Sequence, residues 1–461
     1  MARNSKENSS KKAALEYHEF PQPGKLEIRA TKPLANQRDL SRAYSPGVAE
    51  ACLEIKEDEN TASKYTSKGN LVAVISNGTA VLGLGNIGPG ASKPVMEGKA
   101  VLFKKFANID CFDIEVDEDN PQRLAEIVAS LEPTFGAINL EDIKAPDCFE
   151  VERLCKEKMK IPVFHDDQHG TAIVVGAAAV NAIELSNRKI ENTKIVAVGA
   201  GASGIACLEM LVKLGAKREN IWLSDSKGLI TKNRSEINEE KKRFSQDSNL
   251  SNLDDVIKDC DMFLGLSGPG VLTSKMVLKM NKQPIIFALA NPDPEINPAD
   301  ALKVAPDALI ATGRSDYPNQ VNNVLCFPFI FRGALDVGAT QINDEMKLAC
   351  IHAIANLARQ TSTAETVEAY QGEILKFGKE YLIPKPFDPR LLPNVAVAVA
   401  EAAMKSGVAS RPLKDVEAYK QKLEGSVYKS TILMKPVFEA AKTSSRKIVF
   451  AEGEDLSLIH I

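Results

Sequence analysis

Short apolar runs bounded by glycine or polar turns characterise the chain between residues 18 and 165. Leu71–Ile75 and Ala80–Leu82 are each followed by a glycine turn, and Ile109–Val116 is a third run. Apolar runs of this length between turn residues predict short buried strands. Ala100–Phe106 has helical spacing. This N-terminal part is therefore predicted to be an α/β domain.

A sharper pattern begins at Ile195–Val198, a continuous apolar run. Gly199-Ala-Gly-Ala-Ser-Gly204 follows it, and Ile205–Leu214 then carries apolar residues at helical spacing. The next run, Ile221–Ser224, is followed by an acidic residue. Later apolar runs that can extend the same parallel sheet are Met262–Leu266, Ile285–Leu289 and Ala308–Ile310. Residues 166–340 are therefore predicted to form a doubly wound Rossmann domain.

The composition becomes helical and rich in alanine after residue 340. Glu345–Ala358, Ala364–Phe377 and Asn394–Lys405 predict helices. We expect residues 341–425 to pack back onto the first domain. At the other end of the chain, residues 1–17 are polar and basic and predict a flexible tail.

Composition and charge exclude several classes of protein. At roughly 150 residues per domain, the chain length allows about three domains. Lys and Arg number 57 against 61 Asp and Glu, which leaves a formal net charge of −4 and no basic excess for nucleic acid. No apolar stretch approaches the ~18 residues of a membrane span, and Met1–Lys12 lacks the apolar segment of a signal peptide. The eight cysteines form no C-x-x-C pair, so reduced thiols in the cytoplasm are expected.

The glycine turn predicts a dinucleotide site because it follows a strand and opens a helix. Gly199 permits the tight turn, Gly201 lets the backbone approach a pyrophosphate, and Gly204 allows close packing of helix and strand. Asp225 lies at the end of the next strand, where an acidic residue binds the ribose of NAD. The remaining candidate contacts of the turn are Ala200, Ala202 and Ser203.

The choice between NAD and NADP stays open on the residues alone. Asp225 favours the ribose 2′-hydroxyl of NAD, because it would repel a 2′-phosphate. Ser226 and Lys227 follow directly and are further candidate contacts. Cations close by that could neutralise a 2′-phosphate are Lys232, Arg234, Lys241 and Lys242.

Two pairs of adjacent acids follow apolar runs, in Asn139-Leu-Glu-Asp142 and in Phe164-His-Asp-Asp167-Gln-His-Gly170. Neighbouring carboxylates repel unless a cation or proton compensates them, and a hard divalent ion is a natural partner. His165 and His169 leave a zinc or iron site as an alternative. The other alternative is that the acids at 166 and 167 cap a helix predicted over Thr171–Leu185.

Seven segments in order over about residues 15 to 425 together resemble the malic enzymes, of the bacterial type fused to a phosphotransacetylase-like region. They are Ala43-Tyr-Ser-Pro-Gly-Val-Ala-Glu50, Ser76–Gly88, Lys93-Pro-Val-Met-Glu-Gly-Lys99, Asn139–Asp142, His165–Thr171, Asp225-Ser-Lys-Gly-Leu229 and Tyr317-Pro-Asn-Gln-Val-Asn-Asn323. The resemblance implies oxidative decarboxylation of (S)-malate to pyruvate and CO2 with reduction of NADP or NAD, and decarboxylation of oxaloacetate. It also implies a homodimer and a preference for NADP.

The resemblance implies a role for each matching side chain. Lys99 would contact the substrate and act as general base, for which burial or neighbouring cations would have to lower its pKa. Tyr44 would be the general acid, and Asp166 would tune Lys99 or support the metal site. The implied ligands of Mg²⁺ or Mn²⁺ are Glu141, Asp142 and Asp167.

On the substrate side, Asn291 and Asn323 match residues that hold the substrate and nicotinamide. Thr79-Ala80 stands where larger eukaryotic relatives carry an arginine, so the clamp for the substrate carboxylate must be built otherwise. Arg314 is the candidate for that clamp.

The segment from Arg446 to Asp455 resembles the opening strand of a phosphotransacetylase-like domain. Residues 426–461 are therefore expected to be a linker and the truncated start of that domain, without its response to acetyl-CoA. Two rival interpretations are a metal-independent Rossmann dehydrogenase and a catalytically silent regulatory homologue.

Overall fold

Four strands of the N-terminal part form a parallel sheet in the order β2-β1-β3-β4. Every residue of β1 is buried, as its unbroken apolar run predicts. The strands are β1 (Leu71–Ser76), β2 (Asp110–Glu115), β3 (Ala137–Leu140) and β4 (Val163–His165). The computed structural model describes residues 2–81, 83–361, 366–367, 370 and 375–427.

A second sheet of six strands follows, in the order β7-β6-β5-β8-β9-β10. All neighbours are parallel except β6 and β7. The strands are β5 (Ile195–Val198), β6 (Ile221–Asp225), β7 (Gly228–Leu229), β8 (Met262–Gly265), β9 (Ile285–Ala288) and β10 (Leu309–Thr312). The strand order reverses between β5 and β8, and ligands of open α/β sheets bind at such a switch point. The predicted doubly wound domain is confirmed.

Helices surround the two sheets and form the C-terminal part. The first α-helices among the described residues are α1 (Ala2–Glu19), α2 (Gln37–Ala43), α3 (Val48–Glu57), α4 (Ala62–Tyr65), α5 (Pro89–Ala107), α6 (Pro121–Ser130), α7 (Asp147–Lys158), α8 (Thr171–Leu185) and α9 (Ala202–Lys213). They continue with α10 (Glu239–Lys242), α11 (Leu253–Val256), α12 (Ser274–Val277), α13 (Pro298–Val304), α14 (Phe327–Asp336), α15 (Asp344–Arg359), α16 (Leu391–Lys405) and α17 (Val416–Val427).

Aromatic packing joins the C-terminal helices to the N-terminal part. Phe103 of α5 lies 4.8 Å from Phe327 and 5.2 Å from Phe331 of α14, measured between ring centroids. Phe387, which precedes α16, lies 5.4 Å from Phe106 of α5. Large buried aromatic surfaces contribute strongly to such packing. Phe327 and Phe331 precede residue 341, whereas the contact of Phe387 lies within residues 341–425 and fits the expected return of that segment. The exact boundaries of the segment stay a prediction.

Two local expectations compare differently with the structure. The segment expected to be a flexible tail contains helix α1, because its alanines, lysines and glutamates are good helix formers and Lys12 pairs with Glu16 at 3.6 Å; its flexibility stays a prediction. The strand expected at Ala80–Leu82 is reduced to a bridge between Val81 and Gly85, since the intervening glycine at φ 91° turns the chain back.

Some expectations lie partly or wholly outside the described residues. Within Ala364–Phe377 the structure describes residues 366–367, 370 and 375–377, and residues 428–461 fall beyond the described range. Residues from Asp415 onwards form a unit separate from residues 1–414, and its described part contains α17. Among the described helices, none is both long and apolar enough to cross a membrane.

Candidate active site

Lys99 of α5 lies in a buried ion-pair cluster at the carboxyl edge of the N-terminal sheet. Its Nζ atom is 2.6 Å from Asp166 Oδ2 and 2.9 Å from Glu141 Oε1. The same ammonium lies over the ring of Phe327, 4.3 Å from its centroid. Lys99 is 8% exposed and Asp166 is fully buried, so water does not screen this pair strongly.

The environment of Lys99 favours its charged form. Burial alone would lower the pKa of Lys99, but the carboxylates of Asp166 and Glu141 outweigh burial and raise that pKa above its ordinary value. The expectation that burial or neighbouring cations lower this pKa is therefore wrong for the chain's own groups. The neighbours of Lys99 are anions. Lys99 can therefore act as a base only if another cation offsets their negative charge, or if the ammonium passes a proton to one of the two carboxylates.

Glu141 also belongs to a group of three carboxylates that converge beside Lys99. One ligand atom from each of Glu141, Asp142 and Asp167 lies within 4.8 Å of the others. The first two residues follow β3, and Asp167 follows β4 in a π-helical turn, Asp166–Gly170. Because β3 and β4 are parallel neighbours, their carboxyl ends bring these acids to one edge of the sheet.

The three carboxylates fit a divalent metal ion. Burial, reinforced by the neighbouring negative charges, raises the pKa of Asp142 to about 9. Burial likewise raises the pKa of Glu141 to about 7 and that of Asp167 to about 6. Asp142 Oδ2 is buried and has no hydrogen-bond partner among the described residues. An all-oxygen set with an unpartnered acceptor suits a hard cation such as Mg²⁺ or Mn²⁺.

The structure bears differently on the two alternatives for the acid pairs. In the described part of the chain, the three-carboxylate cluster that could hold a metal contains no histidine. His165 Nδ1 lies 3.7 Å from Asp167 Oδ2, and neither of its ring nitrogens has a hydrogen-bond partner among the described residues, so the zinc or iron alternative stays open. His169 instead hydrogen-bonds Glu152 through Nε2 at 2.8 Å, and its Nδ1 lies 3.3 Å from Lys347 Nζ. Helix α8 begins after Gly170, and no side chain caps it. Capping by the acids at 166 and 167 is therefore wrong.

Asp166 is held between Lys99 and Asn323. The Asn323 side-chain amide donates to Asp166 Oδ2, which also accepts from Lys99. A Cβ atom at Gly170 would lie 1.8 Å from Asp166 Oδ1, so only glycine leaves room for this carboxylate. Burial raises the pKa of Asp166 to about 7 despite the nearby ammonium.

The glycine turn of the second sheet connects directly to this cluster. Gly199 has φ 108°, and a Cβ at Gly204 would lie 1.9 Å from Gly199 O, so both positions require glycine. No described heavy atom lies within 4 Å of the Cβ position of Gly201, where a ligand can approach. The Ser203 hydroxyl donates to the backbone oxygen of Asp167 at 2.7 Å. The start of α9 and the candidate metal turn are thus hydrogen-bonded neighbours.

Other candidate residues lie outside the cluster or have partners of their own. Tyr44 is 74% exposed. The guanidinium of Arg314 is bound by both oxygens of Asp316 at 2.8 Å and donates to Pro292 O, so the expected substrate clamp is already occupied. Asn291 is exposed, and its side-chain amide lies against Gly313. A Cβ atom at position 313 would be 3.1 Å from the amide nitrogen.

Several side chains of the site were not singled out from the sequence. Asn139 donates to Glu141 Oε2 at 2.8 Å and orients that carboxylate. Phe327 forms the apolar wall beneath the Lys99 ammonium. Asn139 is the first residue of the Asn139–Asp142 motif that contains two of the predicted metal ligands, so the sequence could have identified Asn139 as a site residue. Phe327 comes from a distant helix with an ordinary apolar pattern and gives no such signal.

The fold and the site define a dinucleotide-binding α/β protein with a candidate divalent-metal centre. Profiles of two families match the chain: "Malic enzyme, N-terminal domain" over residues 23–126 and "Malic enzyme, NAD binding domain" over residues 168–370. The crystal structure of malic enzyme from Pyrococcus horikoshii Ot3 is similar with a TM-score of 0.81 and 41% identity, over 94% of this chain and 98% of that one. The chain belongs to the malic enzyme family.

Curated relatives extend the comparison. The NADP-dependent malic enzyme of Haemophilus influenzae is 58% identical over 98% of this chain and 60% of that protein. The NAD-dependent malic enzyme of Rhizobium meliloti is 60% identical over 96% of this chain and 58% of that protein. The chain thus spans about three fifths of the length of these relatives. The resemblance found in the sequence is confirmed at the level of the family.

Proposed function

We propose that this chain catalyses the oxidative decarboxylation of (S)-malate to pyruvate and CO2 with reduction of NADP or NAD. One observation supports this most strongly: the Lys99 ammonium is held by Asp166 and Glu141 beside a three-carboxylate cluster. The hydrogen bond from Ser203 to Asp167 brings the dinucleotide turn to the same place. A base, a metal centre and a hydride acceptor are the groups that this reaction needs.

The metal ligands in this proposal are Glu141, Asp142 and Asp167. A divalent ion bound there would offset their charge and act as a Lewis acid on the oxygen at C2 of malate. Glu141 also contacts Lys99, so the ligand set and the base share one electrostatic environment. Asn139 holds Glu141 in its orientation by donating to the second carboxylate oxygen.

Lys99 takes the proton from the C2 hydroxyl as hydride leaves C2 for the dinucleotide. Asp166 lies 2.6 Å from the lysine nitrogen and accepts a proton from the ammonium, which leaves the neutral amine as base. Asn323 fixes Asp166 for this exchange. Loss of CO2 from C4 then yields an enolate, and the same intermediate forms when oxaloacetate is the substrate.

Tyr44 is the proposed general acid that protonates C3 of the enolate. With 74% of its surface exposed in the single chain, this phenol must be covered by substrate, by another segment or by a second copy of the chain before it can act. A homodimer is part of the proposal.

All eight cysteines lie in described residues and are unpaired, which supports a reducing cytoplasmic location.

The test is to add malate with either dinucleotide and to follow the absorbance of the reduced nicotinamide. We expect malate-dependent reduction in the presence of Mn²⁺ or Mg²⁺. Reduction that proceeds equally with a chelator would favour the metal-independent dehydrogenase. No reduction under any condition, with both dinucleotides still bound, would favour the silent homologue.

A further inference from the structure

The crevice between β5 and β8 has two walls, because the strand order of the second sheet reverses there. The glycine turn after β5 forms the first wall, and the segment Ser267–Leu272 after β8 forms the second wall. The two walls begin side by side, since a Cβ atom at Gly199 would lie 2.2 Å from the backbone oxygen of Leu266. Apart from chain neighbours, no described heavy atom lies within 4 Å of the Cβ positions of Gly268 and Gly270, so the second wall is open to a ligand.

Glu295, in the loop after β9, holds the second wall at both ends. Its Oε1 atom accepts a hydrogen bond from the backbone N–H of Ser267 at 2.8 Å, and the Ser267 hydroxyl makes a longer contact with the same oxygen at 3.4 Å. The backbone oxygen of Glu295 accepts from the N–H of Leu272 at 3.1 Å. One residue thus fixes both ends of the wall, and Gly268–Val271 lie between these two attachments.

The second carboxylate oxygen of Glu295 reaches a different loop. Oε2 accepts from the backbone N–H of Ala290 at 3.1 Å. Ala290 directly precedes Asn291, the candidate contact of substrate and nicotinamide. Ser267 and Asn291 are exposed, whereas Glu295 is fully buried, so the carboxylate joins two exposed segments from inside the protein.

No positive charge compensates this buried acid within the described part of the chain, where backbone N–H groups and one hydroxyl hold the carboxylate of Glu295. Burial raises the pKa of Glu295, although these hydrogen bonds act in the opposite direction. A buried carboxyl group without a cation is costly, and such groups are concentrated at functional sites. The end of β8 also leaves room for it, because a Cβ atom at Gly265 would lie 2.4 Å from Glu295 Cδ.

We propose that Glu295 is a positioning residue for dinucleotide binding, whose carboxylate holds the second wall against the loop that carries Asn291. The ligand is a nicotinamide adenine dinucleotide that lies between the glycine turn and the second wall. Glu295 acts on it through the backbone of Ser267 and Ala290. This inference rests on the proposed dinucleotide-dependent function and deepens it, since it assigns a residue that shapes the site from behind.

The test measures equilibrium binding of NADPH and of NADH to the full chain by the fluorescence of the reduced nicotinamide, without malate or metal. Glu295→Gln keeps the size of the side chain but replaces one acceptor oxygen with an amide donor, which leaves the N–H of Ser267 or Ala290 unpaired. We expect the affinity for the dinucleotide that the wild type binds more tightly to fall by about tenfold or more. Glu401→Gln makes the same change at an exposed position of α16 and should bind like the wild type.

Binding of Mn²⁺ to the same proteins, measured by calorimetry without dinucleotide, separates positioning from a general loss of structure. If Glu295 positions the second wall, Glu295→Gln keeps the wild-type affinity for Mn²⁺. Wild-type dinucleotide affinity in Glu295→Gln would overturn the proposal, and so would an equal loss of both affinities.

Gly265→Ala is the second variant and keeps the test decisive if Glu295→Gln fails to fold. Its methyl group displaces the Glu295 carboxylate, so dinucleotide affinity should fall while the affinity for Mn²⁺ stays unchanged. No effect of Gly265→Ala on dinucleotide affinity would contradict the proposal. Because binding is measured without turnover, a wild-type chain that binds NADPH or NADH but does not oxidise malate refutes the proposed function and leaves this inference standing. Malate oxidation by the wild type together with normal dinucleotide binding in Glu295→Gln refutes this inference alone.

Discussion

The Lys99 ammonium and the Asp166 carboxylate, 67 residues apart in the sequence, form a buried ion pair with 2.6 Å between Nζ and Oδ2. Asp166 comes from the turn after β4, and Lys99 comes from α5. Asn323 donates to the same carboxylate oxygen. A proton shared among these groups can move between acid and base without contact with water, which is what a general base in a closed site requires.

Replacement of Lys99 by alanine removes the proposed base and leaves the dinucleotide turn intact. We expect kcat for malate oxidation to fall by roughly 100- to 10,000-fold, because that is the usual contribution of general acid–base catalysis. Binding of NADP should change little. Lys105→Ala, an exposed lysine on the same helix, is the matched control. A Lys99→Ala protein with wild-type kcat would remove Lys99 from the mechanism.

Metal binding should release protons and strengthen with pH. Burial and neighbouring carboxylates raise the pKa of Asp142 to about 9 and that of Asp167 to about 6. Between about pH 6 and pH 9 a divalent ion must therefore displace a proton from this pair of ligands. We expect the affinity for Mn²⁺ to rise across this range. Calorimetry in buffers of different ionisation enthalpy measures the protons released. Affinity independent of pH would contradict the assignment of these ligands, and Asp142→Asn should weaken binding at every pH.

Lys347 on α15 gives a separate prediction about stability. Burial, together with the nearby Lys156, lowers the pKa of Lys347 from 10.5 to about 8, even though Glu152 and Asp344 act in the opposite direction. Between about 8 and 10.5 the unfolded chain therefore binds more protons at this residue than the folded chain does. The contribution of Lys347 to the free energy of unfolding should rise with pH through this window.

Urea denaturation of the wild type and of Lys347→Met at a series of pH values checks this. The difference between the two free energies should shift in favour of the wild type as the pH rises through the window. Lys405→Met, an exposed lysine at the end of α16, serves as the control and should show no such trend. A constant difference between wild type and Lys347→Met would contradict the prediction.

Tyr44→Phe tests the proposed acid. We expect the exchange of pyruvate methyl protons with deuterated water to fall by about 100-fold or more, since this exchange needs only the removal of a proton from C3 and its return by the same group. Malate-dependent reduction of the dinucleotide in a single turnover should fall less. Tyr65→Phe, at a tyrosine that is 41% exposed, is the matched control. Undiminished exchange in Tyr44→Phe would assign the acid to another group.

Local sequence patterns predict much of the fold because they report on local physics. The strand at Ile195–Val198 and the helix at Thr171–Leu185 have the predicted bounds, since the first is an unbroken apolar run and the second a mostly apolar segment after a glycine. The meeting of Glu141 and Asp167 was implied by the family resemblance, and the structure explains it, because both acids come after neighbouring parallel strands.

The partners that side chains choose across the fold could not be predicted in this way. Arg314 was expected to bind the substrate but is bound by Asp316. The pKa of Lys99 was expected to be lowered, but two carboxylates flank its ammonium. Arg314 and Asp316 are only two residues apart, so that pair could have been expected from the sequence. The pairing of Lys99 depends on how distant elements pack, which no local pattern encodes. In the same way, the basic residues from 232 to 242 look equivalent in the sequence, and only the folded chain shows which of them contact Asp225.

The central claim is that three carboxylates and Lys99 form a metal-dependent centre for malate decarboxylation. The most direct measurement removes metal with a chelator, adds back Mn²⁺ in steps, and quantifies pyruvate and reduced dinucleotide from the same malate sample. The account predicts equal amounts of both products, formed only after Mn²⁺ is restored and lost in Asp142→Asn. Reduced dinucleotide without pyruvate, or undiminished turnover with the chelator, would contradict it.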